Sequence, residues 1–119
     1  FQGHDHLFAH QEKDGVVYQE LPNPADFTYT AFNEDAYRTG ETFPNSGYVK
    51  VTVGPQQVHV EYIRMFLPAD EQPGKKSGMV QFEYTIPAPT ASSVDRLVAS
   101  GGVSSSASAA RSACAPRSV

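Results

Sequence analysis

The 119-residue chain contains one cysteine, at position 114, and no tryptophan. A single cysteine excludes an internal disulfide and any zinc framework built from four thiolates. Apolar runs extend over only a few residues, far short of the roughly 20 needed to cross a bilayer, so no membrane span is predicted. Basic residues are also scarce, with 9 Lys and Arg against 13 Asp and Glu and a net charge of -4. This balance argues against a broad nucleic-acid-binding surface.

Aromatic residues are absent from the last part of the chain, 90–119, which contains nine Ser and seven Ala. Such a stretch buries too little apolar surface to offset the roughly 1–2 kcal/mol per residue of lost backbone freedom. The sequence therefore predicts a body at 1–89 and a disordered low-complexity tail or linker at 90–119. An artefactual end produced by a shifted reading frame is the alternative origin of the tail. Because Phe1 is not an initiating Met, we expect the chain to begin inside a longer protein.

Alternation of apolar and polar residues predicts a mostly antiparallel β body. Segments with strand-forming composition occur at 16–18, 27–32, 47–53, 58–63 and 79–86. In the last of these, Val80, Phe82, Tyr84 and Ile86 should form the apolar face. The segment 34–38 is predicted to be a helical turn capped by Asn33, with a plain loop as the alternative. One apolar sheet face needs a second layer, which we expect upstream of Phe1.

Imidazole groups are concentrated at the start of the chain, in Gly3-His4-Asp5-His6 with His10 close behind. Residues two apart on an extended backbone project to the same side, about 6–7 Å apart, so His4 and His6 could share one metal ion or serve two. Two ligands do not complete a catalytic site, because a catalytic zinc takes about three protein ligands and a two-metal centre takes more. His59 is isolated on a strand and is interpreted as a surface or edge residue.

The run FQGHDHLFAHQEKDGVVYQELPNP at 1–24 resembles the closing Gly-His-x-His motif of the calcineurin-like metallophosphoesterases, the superfamily that includes purple acid phosphatases. GYVKVTVGPQQVHVEYIRMFLPADE at 47–71 resembles the strands that follow this motif in bacterial members, so the likeness covers about 1–87. It implies an α/β fold class, in which the chain is the C-terminal fragment of a four-layer α/β sandwich. It also implies a two-metal centre at which metal-activated water hydrolyses a phosphate ester.

By this resemblance, His4 would ligate one metal ion and His6 the other, the ions being divalent or trivalent Fe, Mn, Zn or Ni. Asp5 occupies the variable position of the motif and is not carried over as a ligand. His10 falls where some relatives carry Arg, which implies a phosphate-facing role. Independently of the resemblance, Arg38 lies in a Pro/Asn/Asp-rich stretch, 21–44, that could shape a substrate cleft or be an ordinary surface loop.

Relatives also carry Asp-x-His, Gly-Asp-x-x-Asp and Asn-His-Glu/Asp motifs and a further His, and none of these occurs here. We therefore expect the chain to supply two His ligands, to contain no complete catalytic set and to be inactive alone. A missing N-terminal part of the same domain would supply the remaining ligands, and the complete protein would hydrolyse a small phosphate ester. The alternative is a non-catalytic β-rich binding or interaction module with an incidental His-x-His. The sequence indicates no cellular compartment.

Overall fold

The first half of the body folds around a β-hairpin. In the computed structural model, which describes residues 1–90, β1 is Phe8–Lys13, β2 is Val16–Glu20 and β3 is Glu41–Phe43. These strands form an antiparallel sheet in the order β2-β1-β3. Asp14 and Gly15 connect β1 to β2 with positive φ angles of 53° and 75°. Two such angles are what a two-residue hairpin turn requires, and Asp-Gly provides them at low cost, which confirms the short strand predicted after this turn.

A second antiparallel sheet has the order β4-β5-β6. Its strands are β4 at Gly47–Val53, β5 at Gln57–Arg64 and β6 at Val80–Pro87. They confirm the three alternating segments predicted from the sequence. Gly47 begins β4 where a Cβ atom would collide with the Ile63 carbonyl and the Tyr62 ring, so a side chain cannot be accommodated there without a backbone shift. Two short 3-10 helices complete the regular structure of residues 1–90, at Glu34–Ala36 and Pro68–Asp70.

Aromatic side chains from the two sheets pack against each other to form the core. Phe8 of β1 stacks on Tyr62 of β5 with ring centroids 4.6 Å apart, and neither side chain is exposed. Phe8 also meets Phe82 edge-on at 5.6 Å, and Phe43 of β3 lies 5.4 Å from Phe82. The covering layer for this part of the second sheet therefore comes from β1 and β3. The expectation that it would come from upstream was wrong here, because alternation predicts an apolar face but not which strand covers it.

The far end of the same face has no such cover among the described residues. Val51 and Val53 of β4 are 42% and 76% exposed.

Val80, at the start of β6, is also exposed, which contradicts its predicted place in the apolar face. An irregularity of register at Tyr62/Ile63 pairs Val80 with Ile63 while Phe82 pairs with Tyr62. Such a bulge locally breaks the simple two-residue period on which the prediction rested.

The predicted strand at 27–32 is wrong, because this segment has turns at 27–28 and at 32 and no strand. Asp26 accepts hydrogen bonds from the backbone N–H and the hydroxyl of Thr28, and local bonds of this kind compete with strand pairing. The short helical turn is confirmed only as the 3-10 helix Glu34–Ala36. Asn33 precedes it with a φ of 63° and makes no side-chain capping bond, so its predicted capping role is wrong.

The mostly antiparallel β architecture predicted for the body is confirmed by these two sheets. Residues Phe1–Ala88 form one compact unit. The predicted disordered tail lies outside the described residues, apart from Thr90. Within 1–90, no helix is long and apolar enough to cross a membrane.

Candidate metal-binding loop

The His-rich segment is a loop fixed at both ends. Gln2 runs beside β2, where its N–H donates to the Gln19 carbonyl at 2.9 Å and its own carbonyl accepts from Leu21 at 2.7 Å. At the other end, Leu7 and Phe8 are fully buried as the chain enters β1. Residues 3–6 therefore project from the first sheet between two anchored points.

A buried carboxylate holds the backbone of this loop. Glu20, at the end of β2, is only 2% exposed. Its Oε1 accepts hydrogen bonds from the backbone N–H groups of His4 at 2.5 Å and Asp5 at 3.0 Å. Charge-assisted bonds of this type are stronger than bonds between neutral groups. Glu20 therefore fixes the start of the His-x-His motif, a role that sequence reasoning missed because it depends on the pairing of segments sixteen residues apart.

The His6 ring is paired with a carboxylate from the following loop. His6 Nδ1 lies 3.5 Å from Asp26 Oδ2, and the His6 side chain is about half exposed. Hydrogen bonds from Thr28 are the main cause that lowers the pKa of Asp26, and the nearby charge of His6 contributes in the same direction. Contact of one ring nitrogen with a carboxylate orients an imidazole and leaves the other nitrogen for a metal. Within residues 1–90, His6 Nε2 makes no hydrogen bond or ion pair and is the nitrogen left for a metal.

The Asp5 side chain, between the two histidines in the sequence, forms its hydrogen bonds with residues of a different segment. Its Oδ2 accepts hydrogen bonds from the Tyr37 hydroxyl at 2.8 Å and from Asn33 Nδ2 at 3.2 Å. These two bonds lower the pKa of Asp5, the Tyr37 bond most strongly. In turn, desolvation first and the Asp5 bond second raise the pKa of the Tyr37 phenol. The carboxylate thus ties the loop to the segment around the first 3-10 helix.

The other candidate residues, His4, His10 and Arg38, have environments different from that of His6. His4 is exposed, and its ring makes no hydrogen bond or ion pair within residues 1–90. His10 is part of β1 and packs on two aromatic rings. Its ring centroid lies 4.2 Å from that of Tyr84 and 5.7 Å from that of Phe82. Arg38 is exposed in the loop after the first 3-10 helix. In the described part of the chain, no hydrogen bond, ion pair or ring contact joins His10 or Arg38 to His4 or His6.

The donor set of the loop fits part of a metal centre. His4 and His6 offer imidazole nitrogens, which suit zinc, iron, manganese or nickel. The carboxylates of Asp5 and Asp26 are already engaged by Tyr37, Asn33, Asn45 and Thr28. Two neutral imidazoles do not balance the charge of two metal cations. Further anionic ligands are required to complete a two-metal centre.

A second group of metal-capable side chains lies on the second sheet. His59, Glu61 and Glu83 each offer one ligand atom, and these atoms all lie within 4.8 Å of one another. Sequence reasoning gave His59 no ligand role because the partner strand and its register are not visible in the sequence. The alternation that placed His59 and Glu61 on the same face was the feature of the sequence that could have indicated this group.

Comparisons with family models, with curated proteins and with solved structures found no match to this chain.

Proposed function

We propose that this chain is the C-terminal part of a metal-dependent phosphoesterase and that His4 and His6 are two ligands of its metal centre. The observation that carries the proposal is the pairing of His6 Nδ1 with Asp26 Oδ2 at 3.5 Å. A carboxylate behind an imidazole is the usual outer partner of a metal-bound histidine. Together with the open His4 ring, it favours metal binding over an incidental pair of surface histidines.

Two carboxylates of this chain position the proposed ligands. Glu20 holds the backbone of His4 and Asp5, and Asp26 orients His6. When bound, two divalent or trivalent ions would supply an activated water and neutralise phosphate charge. The remaining anionic ligands would come from the N-terminal part of the same domain, so the chain alone is expected to be inactive.

The substrate class that this proposal favours is a small phosphate ester. Arg38 is the exposed cation of the 21–44 segment proposed here for phosphate contact, and it has no hydrogen-bonding or ionic partner within residues 1–90. Changing Arg38 to Ala in the full-length protein should lower kcat/KM for the ester, and an unchanged value would remove Arg38 from the substrate contacts. His10 remains a predicted phosphate contact, although its ring packs on Phe82 and Tyr84.

The direct test uses the full-length protein. Metal content and hydrolysis of a phosphomonoester and a phosphodiester are measured beside a variant with His4→Ala and His6→Ala. Loss of both bound metal and hydrolysis in the variant is the expected result. Lys13→Ala, at the exposed end of β1, is the control and should keep both. Full hydrolysis in the double variant would contradict the proposed role of the two histidines.

A second candidate is a non-catalytic binding module, which the exposed apolar end of the second sheet favours. Val51, Val53 and Ile86 are 42%, 76% and 37% exposed there, and exposed apolar groups that cluster can mark contact surfaces. A full-length protein that binds no divalent metal and hydrolyses neither ester would favour this candidate.

A further inference from the structure

Three metal-capable side chains meet on the polar face of the second sheet, opposite to the face that packs on Phe8. His59 and Glu61 are two residues apart on β5 and so project to the same side. Antiparallel register places Glu83 of β6 directly opposite Glu61. The cluster therefore combines one imidazole and two carboxylates from adjacent strands, the ligand types that zinc and related first-row ions accept.

The distance between His59 and Glu83 suits a tetrahedral ion. His59 Nε2 lies 3.4 Å from Glu83 Oε2, and two ligands of a tetrahedral zinc with bonds of about 2.0–2.1 Å are roughly 3.4 Å apart. One ligand atom from each of His59, Glu61 and Glu83 lies within 4.8 Å of the other two. The Glu83 side chain is 63% exposed and is free to adjust to an ion held between the three ligands.

The other nitrogen of His59 has its own partner. His59 Nδ1 lies 3.3 Å from Thr85 Oγ1. A hydrogen bond at one ring nitrogen fixes the orientation of a metal-binding imidazole and directs the other nitrogen at the ion. This contact is independent of the carboxylates and presents Nε2 to them.

The Lys50 ammonium group already lies beside Glu61, where a positive charge is favoured. Lys50 Nζ lies 2.7 Å from Glu61 Oε2, with the Lys50 side chain 55% exposed and the Glu61 side chain 15% exposed. The long, exposed lysine can turn into solvent at little cost when a metal ion takes its place. Glu61, which is mostly shielded from water, cannot turn away as easily.

We propose that His59, Glu61 and Glu83 bind one Zn²⁺ ion that bridges β5 and β6, with water as the remaining ligand. This site is separate from the His4/His6 loop and does not depend on the phosphoesterase proposal. The bound ion links two neighbouring strands, β5 and β6, and so stabilises the second sheet.

The test is a zinc titration of the protein carrying His4→Ala and His6→Ala, which removes the loop histidines. Calorimetry should detect a zinc site that His59→Ala weakens at least about tenfold, with a similar loss for Glu83→Gln, because even the loss of an outer partner of a metal ligand typically costs about 10–100-fold in affinity. Glu41→Gln, an exposed glutamate on β3, is the matched control and should leave the affinity unchanged. Cobalt bound in place of zinc should give the intense visible absorption of a tetrahedral site.

An increase in zinc affinity when Lys50 is replaced would distinguish a metal site from a simple network of surface ion pairs. Lys50→Met removes the competing ammonium group and should strengthen zinc binding several-fold. Equal zinc affinity in the parent, His59→Ala and Glu83→Gln proteins would overturn the proposal, as would the absence of any zinc binding below millimolar concentration. Circular dichroism of each variant checks the fold, and Glu83→Gln, on an exposed side chain, carries the test if His59→Ala unfolds.

Discussion

Asn45 donates a hydrogen bond from Nδ2 to Asp26 Oδ2 at 3.1 Å, the same carboxylate oxygen that lies 3.5 Å from His6 Nδ1. Asn45 is fully buried, and its backbone carbonyl accepts a hydrogen bond from Arg64 at 2.7 Å. The orientation of the His6 ring is thus tied, through Asp26 and Asn45, to the end of β5. The metal binding proposed for the loop should therefore respond to changes made in the second sheet.

Asp26→Ala should weaken metal binding at the His4/His6 loop of the full-length protein. Without the carboxylate, His6 loses the partner that orients its ring, and loss of such a partner typically costs about 10–100-fold in metal affinity. Titration with zinc or manganese measures the effect. Asp35→Ala, on the exposed 3-10 helix, serves as the control, and equal affinities in the two variants would refute the positioning role of Asp26.

Arg64→Met should destabilise the fold. Arg64 is 6% exposed, and its guanidinium donates from Nε to the Ser46 carbonyl and from Nη2 to the Asn45 carbonyl. It also lies over the Phe66 ring at 4.9 Å. Leaving a buried carbonyl without its donor costs about 1–3 kcal/mol in the free energy of unfolding. Urea unfolding measures the loss. Arg38→Met, at an exposed position, should have almost no effect, and equal stability of both variants would contradict this role.

Stability should fall at alkaline pH, in part through Tyr62. Burial raises the pKa of the Tyr62 phenol from 10.0 to about 12. Because the pKa is higher in the folded state, this contribution to stability is complete below about pH 10 and is lost as the pH rises towards 12. Urea midpoints between these values should fall less steeply for Tyr62→Phe. Tyr18→Phe, at a half-exposed ring, is the control, and parallel curves for all three proteins would exclude the effect.

Phe8→Ala should remove the centre of the contact between the sheets. The Phe8 ring contacts Tyr62, Phe43 and Phe82 and is fully buried. Replacing a buried Phe by Ala typically costs about 3–5 kcal/mol through lost burial and the remaining cavity. Thermal and urea unfolding give the measurement. Phe32, which is 65% exposed, provides the matched Phe→Ala control, and similar losses in the two variants would show that the core is elsewhere.

The local features of this protein follow from its sequence. Two-residue alternation determined β4, β5 and β6, because successive side chains of a strand point to opposite faces. Asp14-Gly15 determined the first hairpin, since both positions need positive φ. The His4-Asp5-His6 motif was visible by residue type alone, as was the break in composition near residue 90.

The tertiary structure decided which distant residues contact these local features. Asp26 reaches His6 across twenty residues, and Glu83 reaches His59 only through the register of β5 and β6. The sheet that covers Tyr62 was likewise not predictable, because alternation specifies a buried face without specifying what packs on it. Strand composition at 27–32 was overridden by the hydrogen bonds of Asp26 and Thr28. Contacts between distant segments depend on register and packing, which no local pattern of residues encodes.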